Sequence, residues 1–119
     1  MEIKTKLTEK KCGPCEGKMQ PFSKEQAAPY LREVPEWNLS ADERSIIRQY
    51  TMKNFMAAVH CIEKIARVAE QENHHPDIHL TGYRNLRVEL STHAIGGLSE
   101  NDFILAAKIN ELPVDLKTK

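Results

Sequence analysis

The residues in this chain best suited to chemistry are His74 and His75 in Glu72-Asn73-His74-His75-Pro76-Asp77, His93 in Ser91-Thr92-His93, and Asp102. Imidazole gives and takes protons near neutral pH without special tuning. Several imidazoles and a carboxylate around one cleft suit acid–base chemistry on a small molecule. Each residue also has an ordinary role. Histidines at a helix C-terminus interact favourably with the helix dipole. Ser99-x-x-Asp102 is a capping box, which explains Asp102 without any ligand. Capping and orienting are compatible roles for one carboxylate. His60 on a helix and His79 in an expected strand read as structural.

The elements that must position these groups follow from pattern. Ser23-x-x-Gln26 is a capping box with Phe22 and Ala27 as its staple, and Pro35 ends the short helix it starts. Trp37-Asn38-Leu39 reads as a strand, Ser40-Ala41-Asp42-Glu43 as a turn, and Ser45 to Tyr50 as the returning strand. Asn54 caps a long helix with Phe55, Ala58, Val59, Ile62, Ile65, Ala66 and Ala69 at three- and four-residue steps. Pro76 disfavours helical backbone at His75, so that helix stops by Asn73 or His74. Ile78 to Leu80 forms a strand, broken by Thr81-Gly82. Leu86, Val88 and Leu90 then face one way and Asn85, Arg87, Glu89 and Ser91 the other, as in an antiparallel sheet covered on one side. Gly96-Gly97 turns the chain, and Ser99 starts the last helix with Leu98 and Phe103 as staple. The order is α-β-β-α-β-β-α. The junctions at 74–76 and 92–102 then fall where both can reach one end of the sheet. The rings of an extended His-His pair diverge, so a shared pocket has to wrap around that junction.

Composition bounds the function. With 119 residues, 40% hydrophobic and 29% charged, the chain fits one globular domain around a single core. Lys plus Arg equals Asp plus Glu at 17 each, so no net field or basic block attracts nucleic acid. No apolar run approaches membrane-spanning length, so no membrane partner is expected. Met1-Glu2-Ile3-Lys4 lacks the apolar core of a signal peptide, and a cytoplasmic location is expected. Three cysteines argue against a secreted disulfide framework, and Cys61 reads as a small buried hydrophobe. Residues 1–20 are polar and lysine-rich. They read as an extension over the surface, dispensable for the fold. Residues 21–112 form the domain, and 113–119 a tail.

Asn73-His74-His75-Pro76, Tyr83, Ser91-Thr92-His93, Gly97-Leu98-Ser99 and Asp102 together resemble the signature of the pterin-4a-carbinolamine dehydratases. The resemblance covers about residues 21–112. Asp77 to Gly82 is less typical, since many members carry an aromatic there. The resemblance implies an α+β fold in which helices pack on one face of a four-stranded antiparallel sheet. It implies a pterin substrate, 4a-hydroxytetrahydropterin, dehydrated to quinonoid dihydropterin without metal or organic cofactor. Proton transfer is then expected from His74 and His93, ring holding from His75, and orientation of a histidine from Asp102. The site is lined by His74, His75 and Pro76 and by Thr92, His93, Ala94 and Ile95. A homo-oligomer, dimer or tetramer, is implied. It is expected too from the open edges of a four-stranded sheet.

Three other classes compete. A zinc site on His74, His75 and His93 is disfavoured because adjacent side chains diverge. Cys12-Gly13-Pro14-Cys15 matches the thioredoxin tetrapeptide, but no apolar strand precedes it and no tryptophan stands beside it. It reads as a surface thiol pair or a local tie. A non-catalytic binding, assembly or dimerisation cofactor on the same fold is the remaining alternative.

Overall fold

A computed structural model describes residues 7–13 and 20–118. Its helices are α1 (Lys24–Glu33), α2 (Phe55–Glu72) and α3 (Glu100–Asn110). Its strands are β1 (Asn38–Leu39), β2 (Ile46–Thr51), β3 (Asp77–Thr81) and β4 (Asn85–Leu90). The element order is the one the sequence predicts. The sheet is antiparallel with order β1-β2-β4-β3, which puts the last strand in its middle. The helices cover the face that carries Leu86, Val88 and Leu90, all buried, as expected of an α+β fold.

The helix ends obey local chemistry. Ser23 and Gln26 form the reciprocal capping box of α1. Asn54 Oδ1 accepts the Ala57 N–H at 2.8 Å and starts α2. Asn73 closes α2 in the left-handed region at φ 52°, which asparagine tolerates better than most residues. The chain thus leaves α2 sharply just before the histidine pair.

Two features depart from the pattern read in the sequence. The buried stripe of α2 runs through Ala58, Cys61, Ile65, Ala69 and Glu72, whereas Phe55 and Ala66 are exposed. The inward face is therefore centred beside the purely apolar stripe, because α3 meets α2 there. Secondly, α3 does not show one apolar face. Phe103, Ile104, Leu105 and Ala106 are all buried. α1, α2 and an N-terminal 3₁₀ turn at Leu7–Glu9 all contact it, and its side chains join the core that includes β4. A helix enclosed on several sides has no polar face to keep.

The N-terminal segment is therefore more than a surface extension. Leu7 is 3% exposed and belongs to the core, and Lys10 Nζ pairs with Glu100 Oε2 at 2.7 Å. One apolar residue in a polar, lysine-rich stretch has no periodicity to reveal it. Cys15 lies outside the described residues. At the other end, Lys53 N–H donates to Asp115 O at 2.8 Å and Lys117 N–H to Thr51 O at 2.9 Å, so the tail runs beside the end of β2.

Candidate active site

Antiparallel pairing of β3 with β4 puts Asp77 opposite Glu89, so the start of β3 and the end of β4 share one end of the sheet. α2 delivers His74 there from one side and β4 delivers Thr92 and His93 from the other. A tight turn follows: His93–Ile95 is a 3₁₀ turn, Gly96 takes φ 67°, and Gly97 pairs back with Thr92. A Cβ on Gly97 would lie 2.6 Å from Pro21 Cβ, so only glycine lets the segment before α1 pass this close. Phe22 N–H then donates to Leu98 O at 2.8 Å and fixes that passage.

Asp102 is the hub. It is fully buried, and its carboxylate is satisfied on both oxygens. Oδ2 accepts the Ser99 backbone N–H at 3.0 Å, as a capping residue does, and also the Thr92 hydroxyl at 2.9 Å. Oδ1 lies 2.6 Å from His74 Nε2. Thr92 has one hydroxyl proton, committed to Asp102, so Ser99 Oγ is the donor in the 2.8 Å contact between Thr92 and Ser99. One carboxylate therefore caps α3 and orients an imidazole, the two roles weighed against each other in the sequence.

His74 is mostly buried and turned inward. His75 is exposed and turned outward, with Nε2 2.5 Å from Glu70 Oε2. The rings of the pair diverge as extended backbone requires. His93 is exposed; its backbone carbonyl accepts the Gly96 N–H at 3.2 Å, and its ring has no hydrogen-bond partner among the described residues.

A cavity of about 520 Å³ opens at this junction, lined by His74, His75, Thr92, His93 and Ala94 among others. Asp102 stands behind His74 and does not line it. Pro76 and Ile95, expected at the site, are not lining residues either. His60 and His79 are exposed and lie elsewhere, on α2 and β3.

Six further residues line this cavity: Cys12, Gly13, Glu72, Asn73, Ser91 and Asn101. Glu72 opens the histidine motif, and its two hydrogen-bond partners, Cys12 N–H and Lys108 Nζ, are distant in sequence. Burial raises the Glu72 carboxyl pKa, but the Lys108 and Cys12 hydrogen bonds outweigh it and hold the group below its usual value. Burial, with Glu72 nearby, pushes the Cys12 thiol up to about 12. A thioredoxin-type cysteine needs the opposite shift. Among the described residues no three His, Cys, Asp or Glu side chains group as a metal-binding set. No helix among them is long and apolar enough to cross a membrane.

The fold is α+β, and a largely buried histidine–carboxylate pair stands beside an open cavity at one end of its sheet. A family model described as pterin 4 alpha carbinolamine dehydratase matches residues 20–112. The chain belongs to this family. A relative from Halorhodospira halophila that bears the family's name is 48% identical over 106 residues, spanning 89% of this chain and 96% of its own. The mitochondrial pterin-4-alpha-carbinolamine dehydratase 2 of Arabidopsis thaliana is 45% identical over 112 residues, covering 92% of this chain and 60% of its own length. A solved structure, the transcriptional coactivator/pterin dehydratase from Brucella melitensis, superposes with a TM-score of 0.70 at 27% identity, over 76% of this chain and 96% of its own.

Proposed function

We propose that the protein dehydrates 4a-hydroxytetrahydropterin to quinonoid dihydropterin, in the recycling of a tetrahydropterin, by general acid–base catalysis in residues 21–112. The observation that carries this reading is the 2.6 Å contact between His74 Nε2 and Asp102 Oδ1 at a cavity also lined by His93. The N5–H bond breaks and its electron pair forms the C4a–N5 double bond. The C4a–O bond breaks with its pair on oxygen, which takes a proton and leaves as water.

The contact between Asp102 and His74 supports one division of roles. A carboxylate facing Nε2 holds the proton there, which leaves the lone pair on Nδ1. His74 in that tautomer is the base toward N5. His93, exposed on the wall of the same cavity, serves as the acid toward the 4a-hydroxyl. His75 holds the pterin ring, and the backbone at His74–Pro76 and Thr92–Ile95 borders it. No metal or organic cofactor enters these steps. A purified sample that turned over 4a-hydroxytetrahydropterin no faster than the spontaneous reaction would falsify the reading.

A second reading, a binding or assembly role on the same fold, is favoured by one observation. Phe55 and Met56 start α2 at 51% and 54% exposure, an apolar pair open to a partner. The Brucella neighbour's name also joins coactivation to dehydration. On this reading the protein forms a homo-oligomer, and replacing Phe55 and Met56 by polar residues alters assembly while leaving the cavity residues in place.

A further inference from the structure

The cavity beside His74 has a wall that the proposed chemistry does not use. Cys12 and Gly13 form it, and the side chains that hold them are neighbours in sequence of His74 and Asp102. Glu72, two positions before His74, accepts the Cys12 N–H through Oε1 at 2.9 Å and pairs through Oε2 with Lys108 Nζ at 2.7 Å. Asn101, one position before Asp102, accepts the Gly13 N–H at 3.0 Å and donates through Nδ2 to Gly13 O at 2.6 Å. A carboxamide that bonds both the N–H and the C=O of one residue acts like a strand partner and fixes that residue's plane as well as its position. The Cys12 thiol adds a weak bond to Asn101 O at 3.5 Å.

Both anchors are buried. Burying a carboxylate and a carboxamide is costly unless every polar atom is matched. Here the matching partners include the main chain of a polar segment distant in sequence. The elements that bring His74 to Asp102 thus also bring Glu72 and Asn101 to Cys12 and Gly13. We propose that Cys12-Gly13 is a substrate-positioning wall of the cavity, and that Glu72 and Asn101 are positioning residues acting on the pterin through it. This rests on the reading that the cavity takes a pterin. A flat heterocycle held between two imidazoles needs a surface that limits its tilt, since proton transfer falls off quickly with misplacement. A wall that contacts ground state and transition state alike acts mainly on KM. Protonation keeps the Cys12 thiol a packing group at neutral pH.

Gly13 supplies an independent probe. A Cβ built there meets nothing within 4 Å, so a substitution can begin there in open space. The test uses the full chain as wild type, Asn101→Ala, Glu72→Ala, Glu72→Gln and Gly13→Leu. It measures steady-state dehydration of 4a-hydroxytetrahydropterin, calorimetric binding of fully oxidised pterin, which has no hydroxyl to lose, and thermal melting. Asn101→Ala and Glu72→Ala should raise KM and the pterin Kd about tenfold, with kcat within about threefold of wild type. Glu72→Gln, which still accepts the Cys12 N–H, should raise them less. Gly13→Leu should raise both constants without lowering Tm. Should an anchor variant fail to fold, Gly13→Leu decides. KM and Kd within about twofold of wild type in Gly13→Leu and in every folded anchor variant overturn the wall, as does a loss confined to kcat. Wild-type protein that neither binds pterin nor dehydrates the substrate overturns the dehydratase reading and the wall with it. Normal wild-type activity with unaltered KM in the variants overturns the wall alone.

Discussion

His74 Nε2 lies 2.6 Å from Asp102 Oδ1, while the other oxygen of that carboxylate accepts the first backbone N–H of the α3 cap. The imidazole is thus anchored to a helix start instead of to a mobile side chain. Asn73 in the left-handed region and Gly97 against Pro21 fix the two chain segments that meet there. This joint use of one carboxylate sets the expected outcomes of substitution.

Asp102→Asn should separate the two uses. An asparagine oxygen still accepts the Ser99 N–H, but its NH₂ then faces His74 Nε2 and demands the opposite tautomer. Turnover should fall by about 10²-fold or more, the lower range for positioned proton transfer. Tm should drop less than in Asp102→Ala, which also loses a cap of about 1 kcal/mol. Steady-state kinetics paired with thermal melts on both variants check this. Equal turnover in Asp102→Asn and wild type contradicts the orienting role.

His74→Ala and His93→Ala should each lower kcat by up to about 10²–10⁴-fold, less if one imidazole partly replaces the other. The double variant should be worse than either single one. His75→Ala should chiefly raise KM, because His75 lines the cavity and is assigned to ring holding. A folded double variant with wild-type turnover overturns the acid–base assignment. Activity that survives exhaustive chelation is expected and removes the zinc alternative.

Glu72 should make stability depend on pH on the acid side. Its folded pKa is below the usual 4.5, so its contribution is fully present above that pH and is lost as pH falls through the folded value. Glu72→Ala breaks a part-buried pair with Lys108 and should cost about 2 kcal/mol at pH 7, as for a hydrogen bond to a charged group. The gap in Tm between variant and wild type should shrink in melts run from pH 5 down to pH 3. A gap that stays constant across that range argues against a depressed pKa.

Leu7→Ala should destabilise the fold by about 2–3 kcal/mol, as for a leucine removed from a core. A change of about 1 kcal/mol moves Tm by roughly 4–8 °C in a domain of this size. A loss of more than about 8 °C is therefore expected. This reverses the expectation that residues 1–20 are dispensable. An unchanged Tm would mean that Leu7 is not held in the core.

The chain should associate in solution. β3 is an edge strand of five residues with one neighbour, and Phe55 and Met56 are exposed. Such edges and apolar pairs are ordinarily covered. Light scattering at micromolar concentration should give a mass of at least twice 13.6 kDa. A monomer mass contradicts the homo-oligomer.

The sequence by itself determined what local chemistry decides. Side-chain caps at Ser23, Asn54 and Ser99, the restriction Pro76 places on His75, and the alternation through Leu86, Val88 and Leu90 are interactions among residues a few positions apart. They suffice for the element order and for placing three histidines and Asp102 at element ends. The spacing of Asn73 to Pro76, His93 and Asp102 made the family legible as well. Tertiary structure alone decided which atoms meet. β4 enters between β2 and β3 because inter-strand pairing is non-local, and that order carries Thr92 to Asp102. The inward face of α2 shifted from its apolar stripe because α3 packs there, and α3 lost any polar face by being enclosed. Cys12 and Gly13 reached the cavity for the same reason. Their anchors, Glu72 and Asn101, act on backbone N–H and C=O groups, which every sequence contains and no sequence pattern marks.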